Sequence, residues 1–267
     1  MTAALPLRHS HLRLLGTRSP AHCHHARSGG GDDPTYAMER GSGLHGLLLG
    51  PPGSVVAWED GRPRRGKDFD AFRDEHPDAL ILTAAAFGAL APMVEAVQAH
   101  PVAGPLCSRA GFPIIEQTIQ WTQRGGLVCR ATPDVIRVGQ GARIDIVDVK
   151  TTADATPDHF AWHARRMGYT TQLAWYRRAV CAAHAVADAP PPDVTAWLVV
   201  IEAKAPHIVT VWRLTDAALD AADRRLDEWL GVYVGCEQSG AWPDYGEQVL
   251  DVDERDIEIE DMEVGNE

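Results

Sequence analysis

The sequence predicts a mixed α/β domain, a small sheet flanked by helices. Three observations point there. Three strand-like runs, "FPIIEQTIQWT", "GLVCRATPDVIRV" and "RIDIVDVKT", follow one another with Gly125-Gly126, Gly139 and Gly141 at the turns, which reads as an antiparallel meander. Helix-length stretches lie on both sides of that meander. Two further strand runs, 194–203 and 208–214, come after the second set of helices. A chain of 267 residues, 45% of them hydrophobic, can bury one large core or two small ones.

Taken in order, Ser19-Pro20 is a cap and first-turn pair for a short helix holding the histidines of "HCHH". "SGGGDDP" is a joint, and "TYAMERGSGLHGLLLGP" is a helix ended by Pro51-Pro52. "SVVAWEDG" alternates like a strand, and "GRPRRGKDF" is a basic loop. "LTAAAFGALAPMVEAVQAH" predicts one helix opened by Thr83 and kinked at Pro92. After the meander come helices over 158–167 and 169–186, then the two last strands and a helix capped by Thr215. The organisation expected is a basic N-terminal helical segment and joint (1–34), a main domain (35–246) and an acidic tail (247–267).

Charge is unevenly placed. The formal net charge is −12, but from Asp251 onward nine acids face only Arg255, so the tail carries −8 and the body −4. An acidic balance argues against nucleic-acid binding, and its concentration in a tail weakens that argument. The first thirty residues hold no acid, and carry Arg8, Arg13, Arg18 and Arg27. Nothing reaches the roughly 18 apolar residues of a membrane span, so no membrane partner is expected. Five cysteines without CxxC spacing read as reduced thiols of a cytoplasmic protein.

The chemistry concentrates in "RIDIVDVKTT". Residues of one parity share a strand face, so Ile144, Ile146, Asp148 and Lys150 line one side while Val147 and Val149 line the other. That face starts apolar and ends charged, as a strand does when it runs out of a core into a cleft. Hairpin pairing would bring Asp134, in "TPDVI", within reach of Asp148, and two carboxylates with few other ligands suit Mg²⁺ that keeps its waters. A D-x-K triplet alone is short, and solvated aspartates beside a surface lysine give the same string.

The pattern does not stand alone. Pro133-Asp134 followed by Asp148-Val149-Lys150 across a hairpin resembles the PD-(D/E)xK nuclease superfamily, with its restriction-endonuclease-like core. "GYTTQLAWYRRA" then supplies Gln172-x-x-x-Tyr176, similar to the Q-x-x-x-Y signature of the RecB-like exonuclease branch. Four residues apart is one helical turn, which puts Gln172 and Tyr176 on one face, and Tyr169 and Arg165 are expected there too. "SPAHCHHA", "AMERGSGLHGLLLGP" and "IIEQTIQWTQRGGLVCRATPDVI" resemble successive blocks of RecE-type exodeoxyribonucleases (exonuclease VIII). The family places Gly-Arg or Lys-Arg before Pro-Asp, where this chain has Ala131-Thr132, with Arg130 one step earlier.

The resemblance implies roles. Asp134, Asp148, the His45 imidazole and the Val149 backbone carbonyl would hold Mg²⁺, or Mn²⁺ in its place, with Glu116 as a further ligand. Lys150 would position or deprotonate the attacking water, while Gln172, Tyr176, Tyr169 and Arg165 would hold the DNA backbone. The loop arginines Arg62, Arg64 and Arg65 are further candidates for phosphate contact. The implied activity is 5′-to-3′ exonuclease action on linear double-stranded DNA in a phage or prophage recombination system. Its partners would be a single-strand annealing protein and further copies of the chain in a ring. The alternatives are a same-fold nuclease for single-strand or branched DNA, and an inactive nuclease-like module that binds DNA or a partner. "HCHH" is not a zinc site by its spacing, since adjacent residues on a helix point apart. A four-cysteine iron–sulfur cluster, found in some relatives, is excluded because only Cys236 follows the last strands. As a cleft group, Lys150 is expected to contribute little to fold stability.

Overall fold

The computed structural model describes residues 5–30, 36–59, 61–123, 125–139, 143–185 and 190–246. The acidic tail over 247–267, Gly141 and the joint over 31–34 lie outside the described residues. Helices α1 (His9–Thr17) and α2 (Pro20–Arg27) come first. Ser19 stands before α2 as expected, but its hydroxyl bonds the His22 ring at 2.7 Å and no backbone amide. Helix α3 (Tyr36–Leu48) stops ahead of Pro51-Pro52, and β1 (Val55–Trp58) follows. The basic stretch that predicts only a loop continues into a helix, α4 (Lys67–Glu75).

Where the sequence predicts one kinked helix, the structure has a strand and two helices. Strand β2 (Leu80–Thr83) pairs in parallel with β1. The Thr83 hydroxyl then accepts the Ala86 N–H and caps α5 (Ala84–Gly88). Pro92 falls in the first turn of α6 (Ala91–Ala99), where its missing N–H leaves no bond unmade. It opens a helix instead of bending one. A short α7 (Ala103–Cys107) leads to the strands.

Two of the three expected meander strands are broken. The first divides into β3 (Ile114–Ile115) and β4 (Ile119–Thr122), because Glu116 turns to a φ of 47°. The second divides at Thr132-Pro133-Asp134 into β5 (Val128–Ala131) and β6 (Val135–Val138), where a proline cannot donate to a ladder. β4 and β5 therefore leave the main sheet as a separate antiparallel hairpin. Strand β7 (Arg143–Thr152) runs unbroken. After α8 (Pro157–Met167) and α9 (Tyr169–Ala183) come β8 (Asp193–Glu202), β9 (Val209–Arg213) and α10 (Asp216–Ser239), which Thr215 caps. The five-stranded sheet has the order β3-β6-β7-β8-β9, parallel only between β7 and β8.

The parity of β7 organises the core. Ile144 and Ile146 pack with Leu12, Phe160, Leu173, Trp175 and Leu226, on the side covered by α1 and α8–α10. Val147 and Val149 pack with Leu44, Met93 and Val97 on the other side, under α3 and α6. Each such side chain contributes roughly 2 kcal/mol by leaving water. A strand buried on both faces has only its ends for polar work. Among the described residues no helix is long and apolar enough to cross a membrane.

The α8–α9 corner fixes what stands over that strand end. Gly168 turns it at φ 72°, and a Cβ there would sit 3.1 Å from Arg13 Cδ and 3.2 Å from Thr171 Oγ1. Gly168→Ala is expected to lower stability by about 1–2 kcal/mol, the cost of a left-handed residue carrying a Cβ. Thermal unfolding checks it, and an unchanged midpoint would show that the corner relaxes freely.

Candidate active site

Asp148 and Lys150 stand near the end of β7, and β6 delivers Asp134 beside them. Val135 pairs with Val147, so Asp134, one residue before β6, lies across from Asp148. The Asp134 Oδ2 accepts the Val149 N–H at 2.7 Å, which locks the carboxylate against the neighbouring strand. Asp148 is 1% exposed, and no backbone N–H or neutral side chain donates to its oxygens. Its neighbour is the Lys150 ammonium, 2.6 Å from Oδ2 as an ion pair. A buried carboxylate whose lone pairs meet a single ammonium is left largely unsatisfied, and natural cores rarely leave one so.

His45 enters from α3. Its Nε2 donates to the Val149 carbonyl at 3.0 Å, which aims Nδ1 at Asp134 Oδ1 (3.7 Å) and Glu116 Oε1 (3.9 Å). Glu116 arrives by its positive-φ turn, not by the strand parity of its sequence neighbours. Two carboxylates at close quarters resist joint ionisation. Burial, and then the Asp148 charge, push the Asp134 pKa up to about 6 despite His45, Lys150 and the Val149 N–H. Burial pulls the Lys150 pKa down, but Asp148 and Asp134 more than reverse this and hold it above 10.5.

Among the described residues, no three His, Cys, Asp or Glu side chains already stand together as a ligand cluster. The donor chemistry nevertheless suits a hard divalent cation: two carboxylates, a third at Glu116, one imidazole, and the second lone pair of the Val149 carbonyl. The buried Asp148 carboxylate, which has lone pairs to spare beyond its Lys150 partner, is the structural mark of that fit.

The family described as a PDDEXK-like domain of unknown function (DUF3799) matches residues 9–254. The chain belongs to that family. A solved structure, a "Putative exonuclease" from Eubacterium rectale, is similar at 14% identity and a TM-score of 0.61, covering 97% of this chain and 93% of that one. At that identity the likeness shows the fold alone. The structure of SSO0001 is a weaker match, at 12% identity and a TM-score of 0.31 over 73% of this chain and 84% of that one. No curated protein matches. The mixed sheet flanked by helices is thus the PD-(D/E)xK core that the motif order predicts.

On this PDDEXK-like domain the remaining predicted residues separate. Gln172 Nε2 donates to the Tyr176 hydroxyl at 2.7 Å, and Tyr176 is 7% exposed. Burial, then the charges of Asp148 and Asp134, raise the Tyr176 pKa well above 10, which ties that phenol to the carboxylates. The Tyr169 ring lies 5.0 Å under the Lys150 ammonium. Arg165 is a correction: it belongs to α8, is exposed, and is separated from the Gln172 face by the Gly168 corner. Arg62 is engaged locally with Asp68 (2.8 Å), Glu59 (3.3 Å) and the Trp58 ring. Arg64 donates to the Ile81 carbonyl at 2.8 Å, and Arg65 is exposed. That loop serves its own small core of Trp58, Phe69 and Ile81.

A cleft of about 360 Å³ adjoins the site, walled by Tyr169, Gln172 and Tyr176 on one side and by Arg8, His9, Arg13 and Arg130 on another. The three arginines come from segments that look unrelated in sequence. Leu7 joins them by pairing with β5, its N–H to the Val128 carbonyl and its carbonyl to the Arg130 N–H, both at 2.8 Å. The acid-free first thirty residues were the signal for this wall, and a reading of them as a mere lead-in misses Arg8, His9 and Arg13. A larger cavity of about 680 Å³ lies between the end of α3 and α6–α7. It is lined by no carboxylate or imidazole, and its one charge, Arg109, donates to the Leu49 carbonyl.

Proposed function

We propose that the chain is a divalent-metal-dependent exodeoxyribonuclease. It would hydrolyse phosphodiesters of linear double-stranded DNA from 5′ ends and leave 3′ single-stranded tails. The observation that carries this reading is Asp148: buried, with the Lys150 ammonium as its partner and no backbone N–H on it, and placed beside Asp134 at the end of a central strand. Family and fold support a nuclease, and the argument for DNA rests on the arginine-walled cleft next to these carboxylates.

Asp134, Asp148, His45 and the Val149 carbonyl would hold the cation, Mg²⁺ with Mn²⁺ as substitute, and Glu116 would assist. A bound divalent ion supplies an acidified water and offsets charge on the phosphate. Lys150 keeps its proton at neutral pH between Asp148 and the Tyr169 ring, so it orients water and stabilises developing charge. Gln172 and Tyr176 present a fixed amide–phenol pair to the DNA backbone. The phage recombination setting, the annealing partner and a ring of subunits go with this reading. A ring needs basic residues only where DNA threads, which reconciles them with a net charge of −12.

Digestion of a 5′-phosphorylated linear duplex, a single strand and a closed circle, each with and without Mg²⁺, tests it. The linear duplex is expected to shorten from its 5′ ends only with Mg²⁺ or Mn²⁺, and the circle to survive. Degradation of the single strand alone would move the assignment to a single-strand nuclease. No cutting of any substrate would leave a binding module.

A further inference from the structure

Phe112 is 99% exposed, the most solvent-covered large apolar side chain among the described residues. It also sits at a φ of 54°, a backbone region that a bulky residue adopts only when held there. What holds it is Arg137 on β6. That one guanidinium donates to the carbonyls of Leu106 (2.9 Å), Ala110 (3.1 Å) and Ser108, three anchors under the loop between α7 and β3. Gly111, at φ 79°, completes the turn. The fold gains nothing from a ring in water, yet fixes the segment that presents it.

The ring's position relates it to the candidate site. Phe112 and Glu116 bracket β3, both with positive φ, and Glu116 reaches His45. Four residues of chain span at most about 14 Å. At about 3.4 Å per nucleotide along one strand, that is at most about four steps of DNA from Glu116. The residues leading to the ring, Ser108, Arg109, Ala110 and Gly111, are small or polar. A protein interface needs a continuous apolar patch, whereas a lone phenyl face matches one flat ring.

We infer that Phe112 is a base-stacking residue which binds an unpaired nucleobase of the DNA substrate at the mouth of the site; the inference rests on the nuclease reading above. The physical constraint is strict. A base inside a duplex already stacks on both faces and offers only its groove edges, so a protein ring stacks on it only when it is at an end, frayed or single-stranded. The residue would thus select open DNA ends and hold the terminal bases apart as the strand feeds toward Asp148.

The test uses the full chain with Ca²⁺ in place of Mg²⁺, and fluorescence anisotropy on a labelled duplex with a frayed end and on a closed hairpin-capped duplex. Phe112→Ala is expected to weaken binding of the frayed duplex about 5- to 100-fold, the range for loss of one stacked base, and to leave the capped duplex unaffected. Phe112→Trp should restore affinity. Phe112→Gly should bind as poorly as Phe112→Ala while melting above wild type, since glycine takes the positive φ without strain. If wild type cuts DNA and Phe112→Ala binds frayed ends normally, the inference is wrong and the nuclease reading stands. If wild type neither binds nor cuts DNA, both fall together. If Phe112→Ala changes the elution volume of the free protein instead, the ring is a contact between copies and the inference is overturned.

Discussion

Lys150→Ala is expected to lose turnover by about 10² to 10⁴, the usual share of a positioned proton-transfer or charge-stabilising group, and to melt well below wild type in EDTA. The second half departs from the sequence expectation that a cleft lysine adds little to the fold. Asp148 is buried to 1% exposure, and the Lys150 ammonium at 2.6 Å is the positive charge and donor it is paired with. Removing one member of a buried pair leaves the other uncompensated, which costs about 3–5 kcal/mol. A divalent cation would restore the missing charge, so the melting gap should narrow as Mg²⁺ is added. Asp148→Ala fails differently. It removes repulsion on Asp134, which should move that carboxyl from about 6 toward the ordinary carboxylate range, and it is expected to abolish both metal binding and cleavage. Calorimetric titration of Mn²⁺ with parallel melting curves separates the two variants. A Lys150→Ala protein that melts and cuts like wild type would make the pair a bystander.

The other large effect is on acid stability, and it comes from His9. Burial first, then the positive charges of Arg13 and Lys150, lower its pKa from 6.5 to about 3. Its Nε2 donates to Thr171 Oγ1 at 2.9 Å, because that hydroxyl already donates to the Gly168 carbonyl. The unfolded chain takes up a proton at His9 near pH 6.5, and the folded chain does not until about pH 3. Below pH 6.5 the unfolded state therefore binds more protons, and stability falls as pH falls. Between pH 6.5 and 4 the loss is about 3 kcal/mol at 1.36 kcal/mol per pH unit. His9→Gln keeps an N–H for Thr171 and cannot protonate, so its urea midpoint should change much less over that interval. The difference between the two proteins cancels His11, also lowered by burial, and Asp134, which acts in the opposite sense. Parallel slopes in the two proteins would show that His9 is not kept neutral by the fold.

How far the site could be read in advance depended on how local its determinants were. Asp134, Asp148 and Lys150 follow from strand parity and one hairpin register, both short-range, and they meet as expected. Gln172 and Tyr176 follow from a single helical turn and bond to each other. Extending that face to Arg165 fails because Gly168 ends one helix and starts another. Glu116 reaches the site, but through a positive φ that no alternation pattern encodes. The breaks at Glu116 and Pro133 are set by tertiary demands, and Pro133 alone carried a local hint. β2 was hidden because three apolar residues and a threonine before an alanine run fit a helix as well as a strand. The acid-free start hinted at a basic wall, but that Arg130 joins Arg8 and Arg13 there was illegible, because Leu7 and β5 are distant in sequence and joined by backbone bonds.

The parallel pairing of β7 with β8 bears on how the chain comes into being. Arg143 pairs with Asp193 and Thr152 with Glu202, so the strand carrying Asp148 must wait for two intervening helices before it has a neighbour on that side. β8 and β9 then bring Leu198, Val199 and Val200 against the two cores. During synthesis from the N-terminus, His45, Asp134, Asp148 and Lys150 all emerge while two of the five strands of the main sheet do not yet exist. Long-range pairings of this kind close late, since loop entropy must be met before contacts reward it. The carboxylates thus acquire their low-dielectric surroundings only as the last strands dock. A growing polypeptide of this sequence therefore lacks the assembled carboxylate site until β8 and β9 have been made.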